Sequence, residues 1–145
     1  MKDYLPGAII SLVLLVIFFI VDSQVYMNVM PGHLIITFLV MHVVVYKSLI
    51  PEKKYRPYFL YVLIVIAAVY FSVPEYTHEQ AKAKVENDYG LVDVKVERVP
   101  FDTSKSWNPF ESSRGYLFSG RDKDSDEAVS VLVVPHNGKM FKSGE

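Results

Sequence analysis

The sequence has no cysteine. That excludes a disulfide framework and any thiolate metal site, and it leaves whatever lies outside a membrane to be held by its packed core alone. Nor does the chain carry an excess of either charge: fifteen basic and sixteen acidic residues give a formal charge of −1. No basic face is available for phosphates, so nucleic acid is not an expected partner. The sequence also lacks an Asn-x-Ser/Thr acceptor, an internal repeat and a low-complexity tract. Recognised catalytic patterns are missing too, including the GxSxG elbow, the HExxH helix and the glycine-rich phosphate loop. Its paired carboxylates read as surface charge, so the chain is read as non-enzymatic and no cofactor is expected.

Charge is scarce in one half in particular. Up to Pro74 the charged residues are Lys2, Asp3, Asp22, Lys47, Glu52, Lys53, Lys54 and Arg56, whereas positions 75–145 hold ten basic and thirteen acidic residues. With 51% apolar residues overall, the chain is too apolar for one ordinary soluble domain of this length. The composition divides it into an apolar region, 1–74, and a polar region, 75–145.

Three apolar runs fill the first region, at about 5–21, 33–50 and 57–73. Each is near the short end of what a helix needs to cross roughly 30 Å of hydrocarbon. Pro6 and Pro57 fall at helix starts, Pro31 just before one, and Pro51 and Pro74 after helix ends, the positions where a missing N–H does least harm. Tyr4, Tyr26, Tyr55, Tyr58 and Tyr76 fall near the expected interfaces, where amphipathic rings belong. Basic residues next to spans stay on the cytoplasmic side. Lys53, Lys54 and Arg56 lie between the second and third spans, with Lys47 near, and Lys2 puts the N-terminus on the same side. The connection between the first and second spans has no Lys or Arg. The expectation is a cytoplasmic N-terminus and an extracytoplasmic 75–145 region. The first run is longer than a signal core and no small-x-small site follows it, so it reads as a span and not as a cleaved signal.

In the second region Thr77 and Gln80 have capping-box spacing, and Gly90 suits a left-handed helix end. Between them Ala81, Val85 and Tyr89 form a narrow apolar face. The run LVDVKVERV alternates, with Val92, Val94 and Val96 on one side and Asp93, Lys95 and Glu97 on the other, as a half-buried strand does. Further strands are expected near 116–119 and 128–134, with 121–127 as their hairpin connection. Asn137-Gly138 signals a type I′ turn into a short fourth strand over 139–141. The predicted fold is therefore an all-α membrane region of three helices followed by a small α+β domain, one helix on an antiparallel sheet of three or four strands.

Thr77 to Val85, Val92 to Val96, Tyr116 to Phe118 and Val129 to Lys139 follow a pattern of capped helix, alternating strand, aromatic strand and a valine-rich strand entering a glycine turn. In this the polar region resembles a PepSY-type domain and, more distantly, cystatin-like sheets. The resemblance covers the last seventy residues or so and departs from the usual form where 100–114 inserts a long connection. It implies a domain outside a bacterial membrane that binds or restrains a partner protein, in addition to the lipid bilayer that receives the spans.

The candidate site residues are few. His42 is the one readily titratable group near the middle of a span, where a polar group raises a functional question. One reading is a neutral imidazole bonded to Ser11, a tyrosine or a backbone carbonyl, and the other is a working group in transport or sensing. Phe101, Trp107 and Phe110 stand in the long 101–113 connection and read either as partner-binding anchors or as cover for an open sheet face. Asp22 and His33 are expected to approach as an interfacial pair. His78 and His136 are single, with no ligand set around them. Asp122, Asp124 and Asp126 alternate as in a calcium loop but lack its glycine and glutamate, and so read as a solvated hairpin.

Overall fold

The computed structural model describes residues 4–104 and 106–142. Lys2, one of the two orientation signals, lies outside the described residues. The elements in chain order are α1 (Leu5–Val25), α2 (Gly32–Leu49), α3 (Tyr55–Ser72), α4 (His78–Tyr89), β1 (Leu91–Pro100), β2 (Arg114–Asp122), β3 (Ala128–Val133) and β4 (Met140–Lys142).

α1, α2 and α3 are each long and apolar enough to cross a membrane. Their large side chains, Leu12, Ile17, Val40, Val44, Phe59 and Ile66 among them, face outward. Few residues are buried between the helices, and they mix small, polar and large apolar side chains. Gly7 lies so close to Tyr46 that a Cβ there would come within 2.9 Å of the tyrosine Cβ. Ser11, Phe18, Leu39 and Ala68 are buried along the same seams. α1 runs four residues past its expected end, because its last turn continues into a connection that is itself packed.

The four strands form one antiparallel sheet in the order β1-β2-β3-β4. α4 starts at a full capping box, with Thr77 Oγ1 accepting from Gln80 N and Gln80 Oε1 accepting from Thr77 N, and it ends at Gly90 in the left-handed conformation. Its Ala81 and Val85 are fully buried against Tyr116, Phe118, Val129, Val131 and Val133. Register places Val96, Phe118 and Val131 in one row of this inner face, and Arg98, Tyr116 and Val133 in the next. The outward face carries Glu97, Leu117, Leu132 and Phe141 across the four strands.

Two local expectations are corrected. The alternation of β1 is broken by a bulge between Val92 and Lys95, with Asp93 in the left-handed region. Leu91 is therefore buried while Val92 points outward, away from Val94 and Val96. Gly120 sits opposite, where a Cβ would meet Val92 O at 2.8 Å. The β3–β4 turn is not type I′, which needs positive φ at both central residues. Only Gly138 has it, and Val134 O receives Gly138 N in a wider turn over 135–138. Proline at 135 and the Tyr76 ring packed over Gly138 favour the longer path.

Candidate functional site

The feature that organises the molecule is the α1–α2 connection, residues 26–31. Met27 and Asn28 both take left-handed conformations and reverse the chain. The Asp22 backbone carbonyl accepts from Tyr26 N and Asn28 N, and its Oδ1 accepts from Met30 N at 3.0 Å. The reversal drives Val29, 1% exposed, into the sheet core beside Val85, Tyr116 and Phe118. Met30 turns the other way, onto Phe18, Ile35 and Leu39. Burying the Val29 side chain contributes about 1.5–3 kcal/mol.

Carbonyls left free at a helix end and in an irregular connection need donors, and the sheet region supplies them one after another. Val25 O bonds the His78 ring at 2.9 Å, and Tyr26 O accepts from Tyr116 Oη at 3.3 Å. Asn28 O accepts from both Arg98 Nη1 and Arg114 Nη1, at 3.3 and 3.2 Å, and Val29 O accepts from Ser112 Oγ. Burial, with Tyr26 and Asp22 close by, holds the Tyr116 phenol protonated well above its ordinary range, so it stays a donor. The composition boundary at Pro74 is thus not a packing boundary: the loop is a plug and the sheet region its socket. Sequence reasoning passed over Val29, Arg98, Arg114 and Tyr116 in this role. The available signal was the connection itself, whose Val25, Tyr26, Met27, Val29 and Met30 are too apolar for a solvated turn.

His42 is 5% exposed and has both ring nitrogens occupied, Nδ1 by Ser11 Oγ at 2.8 Å and Nε2 by Tyr58 Oη at 2.9 Å. Ser11 Oγ donates to Leu39 O, so its lone pair accepts Nδ1–H, and Nε2 accepts from the Tyr58 hydroxyl. The chain of bonds ends on a backbone carbonyl. Tyr46, Tyr58 and Tyr61 surround the imidazole with ring centroids 5.8 to 6.4 Å away.

The three aromatic residues of the 101–113 connection do not come together. Phe101 stacks on Phe141 at the outward sheet face, Trp107 meets the Phe71 ring edge-on near the end of α3, and Phe110 packs on Phe38 of α2. Trp107 is 82% exposed, so it does not cover the sheet, and Phe110 does not either. Asn108 Nδ2 donates to Phe71 O and ties the connection to α3.

Asp22 forms no ion pair with His33 among the described residues, because its carboxylate is directed into the loop. Asp122 Oδ1 accepts from Asp124 N and Ser125 N, which makes the acidic run a self-bonded hairpin. Among the described residues no three metal-binding side chains cluster. His136 stands in a cleft between α3 and the β3–β4 turn, its Nε2 bonded to Phe71 O at 3.4 Å. Comparison with family models, curated proteins and solved structures returns no match.

Proposed function

We propose that this chain is a non-enzymatic, multi-pass protein of a bacterial cell membrane, in which α1, α2 and α3 span the bilayer and hold a PepSY-like domain on the extracytoplasmic side, where it binds or modulates another envelope protein. The spans are supported by three helices whose outward surfaces are apolar and covered by no other part of the described residues, the surface that lipid covers. The sidedness is supported by Lys53, Lys54 and Arg56 in the α2–α3 turn.

The observation that carries the binding role is the outward sheet face. The inner face is consumed by α4 and by the α1–α2 plug, yet Leu117, Leu132 and Phe141 form an apolar row on the other side, extended by Phe101, with Phe141 50% exposed. A sheet face of that kind, rimmed by Glu97 and Lys95, is suited to a protein surface. A photo-crosslinking residue at Leu132 or Phe141, activated in intact membranes, should give a discrete adduct, and one at Glu79 on the exposed side of α4 should give none. Absence of adducts from the row, or equal adducts from both positions, overturns the reading.

The second reading, a small transport or sensing subunit that works through His42, is favoured only by the placement of that imidazole among Ser11, Tyr46, Tyr58 and Tyr61. Both nitrogens being occupied within a closed chain of bonds weighs against it.

A further inference from the structure

Between the end of α3, the 101–113 connection and the β3–β4 turn lies a cleft of about 630 Å³. Tyr70, Phe71 and Trp107 supply rings, of which Tyr70 and Trp107 are 76% and 82% exposed. Glu75 and Glu111 supply carboxylates, and among the described residues no Lys or Arg lines the cleft. Neither glutamate forms a salt bridge among the described residues.

His136 adds a further constraint. Its Nε2 faces the Phe71 carbonyl, which only accepts, so that nitrogen carries the proton. Nδ1 is then a lone pair, and it is buried without a partner among the described residues. Burial holds the imidazole pKa below its ordinary value, against the opposing influence of the Phe71 carbonyl, Glu111 and Glu75, so the ring stays neutral and adds no positive charge to the cleft. Open aromatic faces and two carboxylates, which only accept hydrogen bonds, have one shared complement, a cation that also donates them. A quaternary ammonium has no N–H to give. A primary ammonium has three.

We propose that this cleft binds the primary ammonium of a phosphoethanolamine lipid headgroup. The lipid source follows from position, since Tyr70 and Phe71 belong to the last turn of an apolar helix, where a headgroup would lie. The inference rests on the reading that α3 spans a bilayer.

Trp107 is the only tryptophan of the chain and stands in the cleft, so its fluorescence reports occupancy. The full chain would be placed in nanodiscs of phosphoglycerol lipid containing a minor fraction of phosphoethanolamine lipid, with bromines on the acyl chains of one class at a time. Brominated phosphoethanolamine lipid should quench Trp107 as though enriched about fivefold beside it, the equivalent of one exposed cation–π contact, and Glu75→Gln with Glu111→Gln should abolish the preference. Quenching by each class in proportion to its mole fraction overturns the headgroup proposal alone, whereas no quenching by either overturns the spanning reading with it. A preference that survives the double substitution also overturns it. So does a saturable shift of Trp107 emission on adding free ethanolamine to discs of phosphoglycerol lipid only, because the ligand would then be the free amine.

Discussion

Trp107 and His42 were the two side chains that the sequence marked most plainly, and the structure gives them opposite surroundings. A lone tryptophan in a small domain suggests core. Here the ring is exposed and rests only its edge on Phe71, so Trp107→Ala should change the unfolding free energy by no more than about 0.5 kcal/mol. Denaturant unfolding of the purified chain checks this, and a loss of about 3 to 5 kcal/mol would show a packed ring instead. His42 is the reverse case. Its bonding was legible, since Ser11 and a tyrosine could be named as partners from their places on neighbouring spans. Leu at this position should leave Ser11 and Tyr58 without their partner and lower stability in detergent by about 1–3 kcal/mol. Asn, which keeps hydrogen-bonding capacity, should be milder. Thermal unfolding of the two variants separates the outcomes, and a His42→Leu protein as stable as the parent would contradict the bonded arrangement.

At the scale of elements, helices were read well because their signals are local. The capping box at Thr77 and Gln80 and the left-handed end at Gly90 formed as written. Strand β1 was read less well, because a bulge costs one residue of register and no apolar pattern records it. Val92, Val94 and Val96 alternate in sequence, but the left-handed Asp93 turns Val92 out and Leu91 in. The residue that permits the close approach is on the neighbouring strand: Gly120 has no Cβ to strike the Val92 carbonyl. Gly120→Ala should therefore destabilise the sheet by about 1–3 kcal/mol, the usual range for overpacking, though the site is a strand position where alanine is ordinarily tolerated. Urea unfolding followed by far-ultraviolet circular dichroism reads this directly, and an unchanged midpoint would mean the strands separate at the bulge. The β3–β4 turn was misread for a similar reason, since Asn-Gly permits type I′ geometry but the Tyr76 ring packed against Gly138 selects a wider turn.

The whole molecule is one body assembled from two compositions. The sequence marks the change of composition near Pro74 and so suggests an anchor with a passenger. What it does not mark is that the first inter-span connection completes the passenger's core, because contacts between residues more than fifty positions apart leave no periodicity to read. The seating has a consequence for the proposed sidedness: if α1, α2 and α3 span a bilayer, the 26–31 plug and the sheet share one side of it. Cysteines introduced at Ser104 and Ser125 should react with an impermeant thiol reagent on intact cells, and one at Glu52 should not, while the reverse pattern would invert the orientation. The seating itself is tested most directly by amide hydrogen exchange of β2 in the full chain. Val29→Ala removes apolar contact from the socket while leaving every residue of the sheet in place. Exchange at Tyr116 and Phe118 should then accelerate about thirtyfold, as a loss of about 2 kcal/mol requires. Unchanged protection of those two amides would contradict the claim that the α1–α2 connection is part of the domain's core.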